Sequence, residues 1–164
     1  MENYLENIKK QYQHYKSLGE KAIEQIDEAH LSWQYNEESN SVAIIVQHLW
    51  GNMQSRFTNF LTEDGEKEWR KRDEEFEKEL KTKEELFLKW NEGWNRVFET
   101  IDTLKNEDLD KTISLYQKPI LVYEALIKFL THYSYHIGQI VFIAKMVTND
   151  RWVSLSIPRK KSQA

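Results

Sequence analysis

The sequence predicts an all-α protein, most simply a four-helix bundle, and three observations carry that reading. Four long stretches place apolar residues at steps of three and four, the spacing of one helix face. Three of those stretches supply seams of the kind that bundle helices pack together. The connectors between them are polar and carry turn-forming residues.

The first helix is expected over residues 2–26, where Leu5, Ile8, Tyr12, Tyr15, Leu18, Ala22 and Ile26 fall on one face. Gly19 interrupts this face at a cost of about 1 kcal/mol relative to alanine, which weakens the pattern without ending it. His14 lies on the polar side and His30 just past the end, so neither needs a functional explanation. A connector follows from Asp27 to Asn40, anchored by Leu31 and Trp33, and its last residues offer an N-cap for the next helix.

The second helix is expected over 41–61, with Val42, Ile45, Val46, Leu49, Met53, Phe57 and Phe60 as its core stripe and His48 at the stripe's edge. Between residues 62 and 85 the composition shifts, with 18 of 24 positions charged, which is too polar for a core helix. This stretch reads as a long crossover between helices two and three, pinned to the bundle by Trp69 and Phe76. The third helix, 83–105, has the cleanest seam: Phe87, Trp90, Trp94, Val97, Ile101 and Leu104. A short extended piece is expected at Thr112–Tyr116, and Pro119 near the start of the fourth helix, where a missing N–H does no harm. The fourth helix ends near Thr148–Asp150, and the tail from Arg151 to Pro158 has enough apolar weight to pack back on the bundle.

Composition bounds the function. The chain of 164 residues is 40% hydrophobic and 30% charged with a net charge of −4, so it reads as one globular domain, 1–164, and not as a nucleic-acid binder. Its basic clusters, Arg70-Lys71-Arg72 and Arg159-Lys160-Lys161, are short and read as solvated faces. There is no cysteine, which removes disulfides, thiolate ligands and a cysteine nucleophile together. No apolar run approaches 18 residues and the N-terminal stretch has no signal-peptide pattern, so no membrane partner and a cytoplasmic location are expected.

Chemistry concentrates in the fourth helix, where His132 and His136 are four residues apart and therefore stacked on one face. Their stripe runs from Val122 through Phe129 to Ile140 and Val147, so both imidazoles fall where core side chains belong. His48 is the third candidate ligand, and three neutral histidines with an open position form a catalytic zinc arrangement. The competing reading of the pair is a hydrogen-bonded structural one. Asn52 and Arg56, one and two turns beyond His48, either line a pocket beside the metal or make helix-surface hydrogen bonds. Tyr133, Tyr135 and Gln139 flank the histidines as further candidates for ligand support or substrate contact, with at least one tyrosine expected to pack on a neighbouring helix or a second subunit. There is no phosphate-binding glycine loop, no Gly-x-Ser-x-Gly elbow and no His-Glu-x-x-His motif to compete.

Three stretches also carry a resemblance: Asn40-Ser41-Val42-Ala43-Ile44-Ile45-Val46-Gln47-His48-Leu49, Phe60-Leu61-Thr62-Glu63-Asp64-Gly65-Glu66-Lys67, and His132-Tyr133-Ser134-Tyr135-His136-Ile137-Gly138-Gln139-Ile140. With them the chain resembles the DinB-like superfamily of metalloenzymes over nearly its whole length, in a branch related to bacillithiol S-transferases. The resemblance implies an up-down-down-up bundle, often a homodimer, with His48, His132 and His136 holding a divalent metal ion, zinc or nickel foremost. Similar proteins include bacillithiol S-transferases, whose metal activates a low-molecular-weight thiol. The substrate does not carry over with the ligands, and an ion that activates a bound water or thiol makes hydrolysis or S-transfer on a small-molecule substrate the expected reaction. The crossover from Asp64 to Asp73 and the tail Ser156–Arg159 look like branch-specific additions at the pocket mouth. The alternative is a non-catalytic, stress-related bundle that binds a metal or a small molecule.

Overall fold

The computed structural model describes residues 3–77 and 80–157, and the basic cluster at 159–161 lies outside them, as do Pro158 and Arg159 of the tail. The described chain is mostly helical, with α1 (Tyr4–Glu24), α2 (Val42–Phe57), α3 (Glu74–Glu77), α4 (Lys83–Thr103) and α5 (Val122–Thr148), and one two-stranded sheet of β1 (Thr112–Leu115) and β2 (Lys118–Leu121). The principal helix packings are α2 on α4 and α1 on α5, with α2 also meeting α5 and α1 meeting α4.

The apolar periodicity of α1 buries Ile8, Tyr12, Ala22 and Ile23. Tyr12 also donates its hydroxyl to the Leu126 carbonyl of α5 at 2.8 Å, and Tyr4 does the same to Tyr123 at 2.9 Å. Tyr12 thus buries its ring and Tyr4 part of its own, and each satisfies its polar end in the same contact. The reason for Gly19 is tertiary: a Cβ there would stand 2.5 and 2.8 Å from two ring atoms of Trp90 on α4. Alanine at this position should gain about 1 kcal/mol of helix propensity and lose about 1–3 kcal/mol to overpacking, so urea denaturation of Gly19→Ala should show a net loss near 1 kcal/mol. A gain would mean that Trp90 yields freely.

Helix α2 is central. Of its sixteen residues only Trp50 and Gln54 escape full burial, which is wider than the stripe its sequence suggests, because α4, α5 and the crossover cover it from three sides. Two boundary expectations are corrected. The N-cap is Ser41, whose Oγ accepts from Ile44 N–H at 3.2 Å, and the helix ends at Phe57, where Thr58 turns extended and Asn59 takes a φ of +50°. Phe60 is still buried, stacked on Phe57 at 5.5 Å, so packing outlasts the helical backbone.

The crossover is pinned by Phe76, as expected, through its packing on His48 of α2, but not by Trp69. Trp69 is 57% exposed and anchors nothing, whereas Glu75 is buried and opens the short α3 with Glu74. Leu86, not Phe87, leads the seam of α4, followed by Trp90, Trp94, Val97 and Ile101. A capping box of Thr82 and Glu85 starts that helix.

Pro119 is not at the head of α5. It sits in β2 opposite Ser114, one of four paired positions in the hairpin, and a two-stranded sheet tolerates it because both strands are edges. The turn residues Tyr116 and Gln117 have φ of +55° and +59°, the signature of a primed turn, without the usual Asn-Gly sequence. Asp64 compensates from the crossover: its carboxylate accepts from Tyr116 N–H at 3.0 Å, Gln117 N–H at 2.7 Å and the Ser114 hydroxyl. Burial opposes its ionisation, but these donors and the Glu66 amide prevail and hold its carboxyl down to about 2. A depressed pKa means that this stabilisation is complete above the unfolded value near 3.9 and fades as pH falls from about 4 toward 2. Asp64→Asn should cost about 1–2 kcal/mol at pH 7, allowing for the group's partial exposure, and the gap from wild type should close across that window in pH-dependent thermal melts.

The tail packs in part: Trp152 and Leu155 rest on the core, while Val153 and Ile157 are 68% and 93% exposed. No helix among the described residues is long and apolar enough to cross a membrane.

Candidate metal centre

Helix α2 supplies His48, Asn52 and Arg56 at successive four-residue steps, and α5 supplies His132 and His136 across from them. The helices bring the three imidazoles together, with ring centroids 5.4 Å apart for His48 and His132, 5.0 Å for His48 and His136, and 4.8 Å for His132 and His136. One nitrogen from each lies within 4.8 Å of the others, so the cluster could hold a metal ion. His14 and His30 lie elsewhere and join no such group among the described residues.

The second nitrogen of two of these rings is committed. His48 Nδ1 donates to Glu75 Oε2 at 3.1 Å, and His136 Nδ1 donates to Gln139 Oε1 at 2.8 Å. Each bond fixes the tautomer and leaves Nε2 as a bare lone pair facing the cluster. His48 Nε2 accepts from His132 Nε2 at 3.3 Å, while His136 Nε2 is buried with no partner among the described residues. A buried lone pair without a donor is costly, and a cation at the cluster would satisfy it. Burial, reinforced by the neighbouring histidines, depresses the imidazolium form of His132 to about 3 and of His136 to about 4, so both are neutral at pH 7, the state a metal requires.

Glu75 is held as firmly as the histidine it serves. Arg70 grips it bidentately, Nε to Oε1 at 2.8 Å and a terminal nitrogen to Oε2 at 2.9 Å. Gln47 on α2 donates to the backbone carbonyls of Glu74 and Glu75 at 3.3 and 3.2 Å, fastening α3 in place. Burial raises the Glu75 carboxyl, but hydrogen bonds from His48 and Arg70 and the Arg70 charge outweigh it and hold the group below its ordinary value. Gly51 makes room for it, since a Cβ there would lie 2.1 Å from Glu75 Oε1. Phe76 then covers the outer face of His48, rings 5.4 Å apart.

A cavity of about 390 Å³ opens beside the cluster, with the three histidines, Asn52, Arg56 and Tyr135 in its wall. Of the other residues singled out from the sequence, Gln139 touches His136 from behind, and Tyr133 turns into the core. Tyr133 nevertheless reaches the site indirectly, donating its hydroxyl to Asn52 Oδ1 at 3.0 Å. Arg56 is itself tied to the crossover, donating to the Gly65 carbonyl and the Tyr116 hydroxyl and pairing with Glu66 at 2.8 Å. Glu75 and Arg70 are the residues that the sequence reading missed. Two larger clefts, of about 960 and 780 Å³, lie outside this cluster, and neither is lined by any of the three histidines.

Fold and site together define a mostly helical protein with a three-histidine cluster able to bind a metal ion. The chain belongs to the family described as Protein of unknown function (DUF1572), whose model matches residues 1–161. No curated protein matches it.

Proposed function

We propose that this protein is a metal-dependent enzyme of the DinB-like superfamily, a single-domain four-helix bundle in which His48, His132 and His136 hold a divalent ion, zinc or nickel. The observation that carries the reading is the convergence of three imidazole nitrogens with two of the rings locked from behind by Glu75 and Gln139. A metal held there supplies Lewis acidity, lowering the pKa of a water or a small-molecule thiol to generate the nucleophile that a chain without cysteine lacks. The reaction class is hydrolysis or S-transfer.

The chain's own groups prepare the site. Glu75 and Gln139 keep protons on the outer ring nitrogens, so the inner ones remain donors of electron pairs. Tyr133 orients Asn52, whose amide N–H₂ group is left to meet a ligand in the cavity. Phe76 and Phe129 add apolar faces to the same cavity. A catalytic role is favoured over a purely structural metal because no carboxylate joins the three histidines among the described residues and a cavity adjoins them.

Metal analysis of protein purified without an affinity tag should find about one divalent ion per chain. Saturation to about 100 times Kd should add about 2.7 kcal/mol to stability, reversed by chelator. Stoichiometry near zero after incubation with zinc or nickel would remove the proposal.

A further inference from the structure

The cavity beside the histidines is walled by four cationic side chains, Arg56, Arg70, Arg72 and Lys128, and by no aspartate or glutamate. In a chain with 27 acidic residues against 23 basic ones, an acid-free wall of this kind runs against the overall balance. Two of the cations are already used, Arg56 by Glu66 and Arg70 by Glu75. Arg72 and Lys128 have no acidic partner among the described residues.

Both are placed to act on whatever occupies the cavity. The Arg72 guanidinium lies over the Phe76 ring at 5.5 Å from its centroid, and that ring faces His48. Lys128 stands one helical turn before His132 on the same face of α5. The remaining polar groups are biased the same way. The Oδ1 of Asn52 is occupied by Tyr133, which leaves its N–H₂ donor, and the Tyr116 oxygen already accepts from Arg56, which leaves its O–H to donate. A wall of surplus positive charge and unused donors is complementary to a ligand that is negative and rich in acceptors. At about 390 Å³ the space suits a small molecule and excludes a folded partner.

We propose that the cavity binds a small organic oxyanion, a carboxylate or a phosphate ester, with Arg72 and Lys128 holding the anionic group while the rest of the molecule lies against the histidines. This takes the cavity to be the ligand site of the metal-dependent reading above. Isothermal titration of metal-free and zinc-loaded protein with succinate, inorganic phosphate and neutral succinamide tests it. Succinate or phosphate should bind at least about tenfold more tightly than succinamide, and more weakly as salt is raised. Which of the two anions binds better identifies the oxyanion. Arg72→Gln and Lys128→Gln, both at exposed positions, should each weaken anion binding about fivefold, and Lys128→Glu by more. Equal binding of succinamide, or anion affinity untouched by these variants, overturns the inference; so does phosphate binding that needs zinc and ignores both cations. Zinc stoichiometry measured on the same samples separates the two readings. One zinc per chain without anion selectivity sinks this inference alone, whereas anion selectivity without zinc sinks the metal chemistry and leaves the anion site standing.

Discussion

His136→Ala is expected to fold, to lose stoichiometric metal, and to show no stabilisation by zinc or nickel. In the wild-type protein at about 1,000 times Kd, metal should contribute about 4 kcal/mol, so the difference between the two proteins should open only when metal is added. The cause is the unmatched Nε2 of His136, which is buried and without a partner among the described residues. Deleting a ring whose inner nitrogen is unsatisfied costs the metal-free fold a small cavity and the bond to the exposed Gln139, while it removes one of three ligands from the loaded one. Thermal melts with and without metal, beside His14→Ala as an exposed control, would read this out. Retention of one ion per chain by the alanine variant would show that the imidazole is a packing residue.

Glu75→Ala should be the most damaging change outside the histidines. It strands Arg70, whose side chain is only 3% exposed, as an unpaired buried charge, at a cost of about 3–5 kcal/mol, or about 6–20 °C in Tm for a chain of this length. It also frees His48 Nδ1, so the ring can rotate and change tautomer, and metal affinity should fall about 10–100-fold. Glu75→Gln separates the two effects: an amide oxygen can still accept from His48, but the charge pairing with Arg70 is gone. Stability should then drop more than affinity does, as measured by chemical denaturation and by competition with a calibrated chelator. Unchanged zinc affinity in Glu75→Ala would end the case that this carboxylate positions the ligand.

What could be read along the chain and what could not divides by the range of the interaction. Helix periodicity is local, so the seams of α1 and α4 and the i, i+4 pairing of His132 with His136 were legible from spacing, and the placement of His48 on a stripe edge brought it to the same point in space. The hairpin was half legible. Alternation at Thr112–Leu115 marked one strand, but its partner holds a proline and its turn lacks Asn-Gly, because Asp64 stabilises that turn from about fifty positions away.

The crossover shows the limit most clearly. Its charge density pointed to solvent, which holds for most of its acids, whereas Trp69, expected as an anchor, is exposed as well. Nothing in the spacing of 18 charged residues distinguishes Glu75 from Glu74 or Glu77. What selects Glu75 is a glycine at position 51 that leaves room, an arginine at 70 that neutralises it and a histidine at 48 that needs its acceptor. The sequence by itself determined the helices and the three imidazoles, since both follow from residue type and the repeat of a helix. Only the tertiary structure decided which carboxylate would leave water to stand behind His48, because the cost of burying a charge is met by partners that meet it only after the chain has folded.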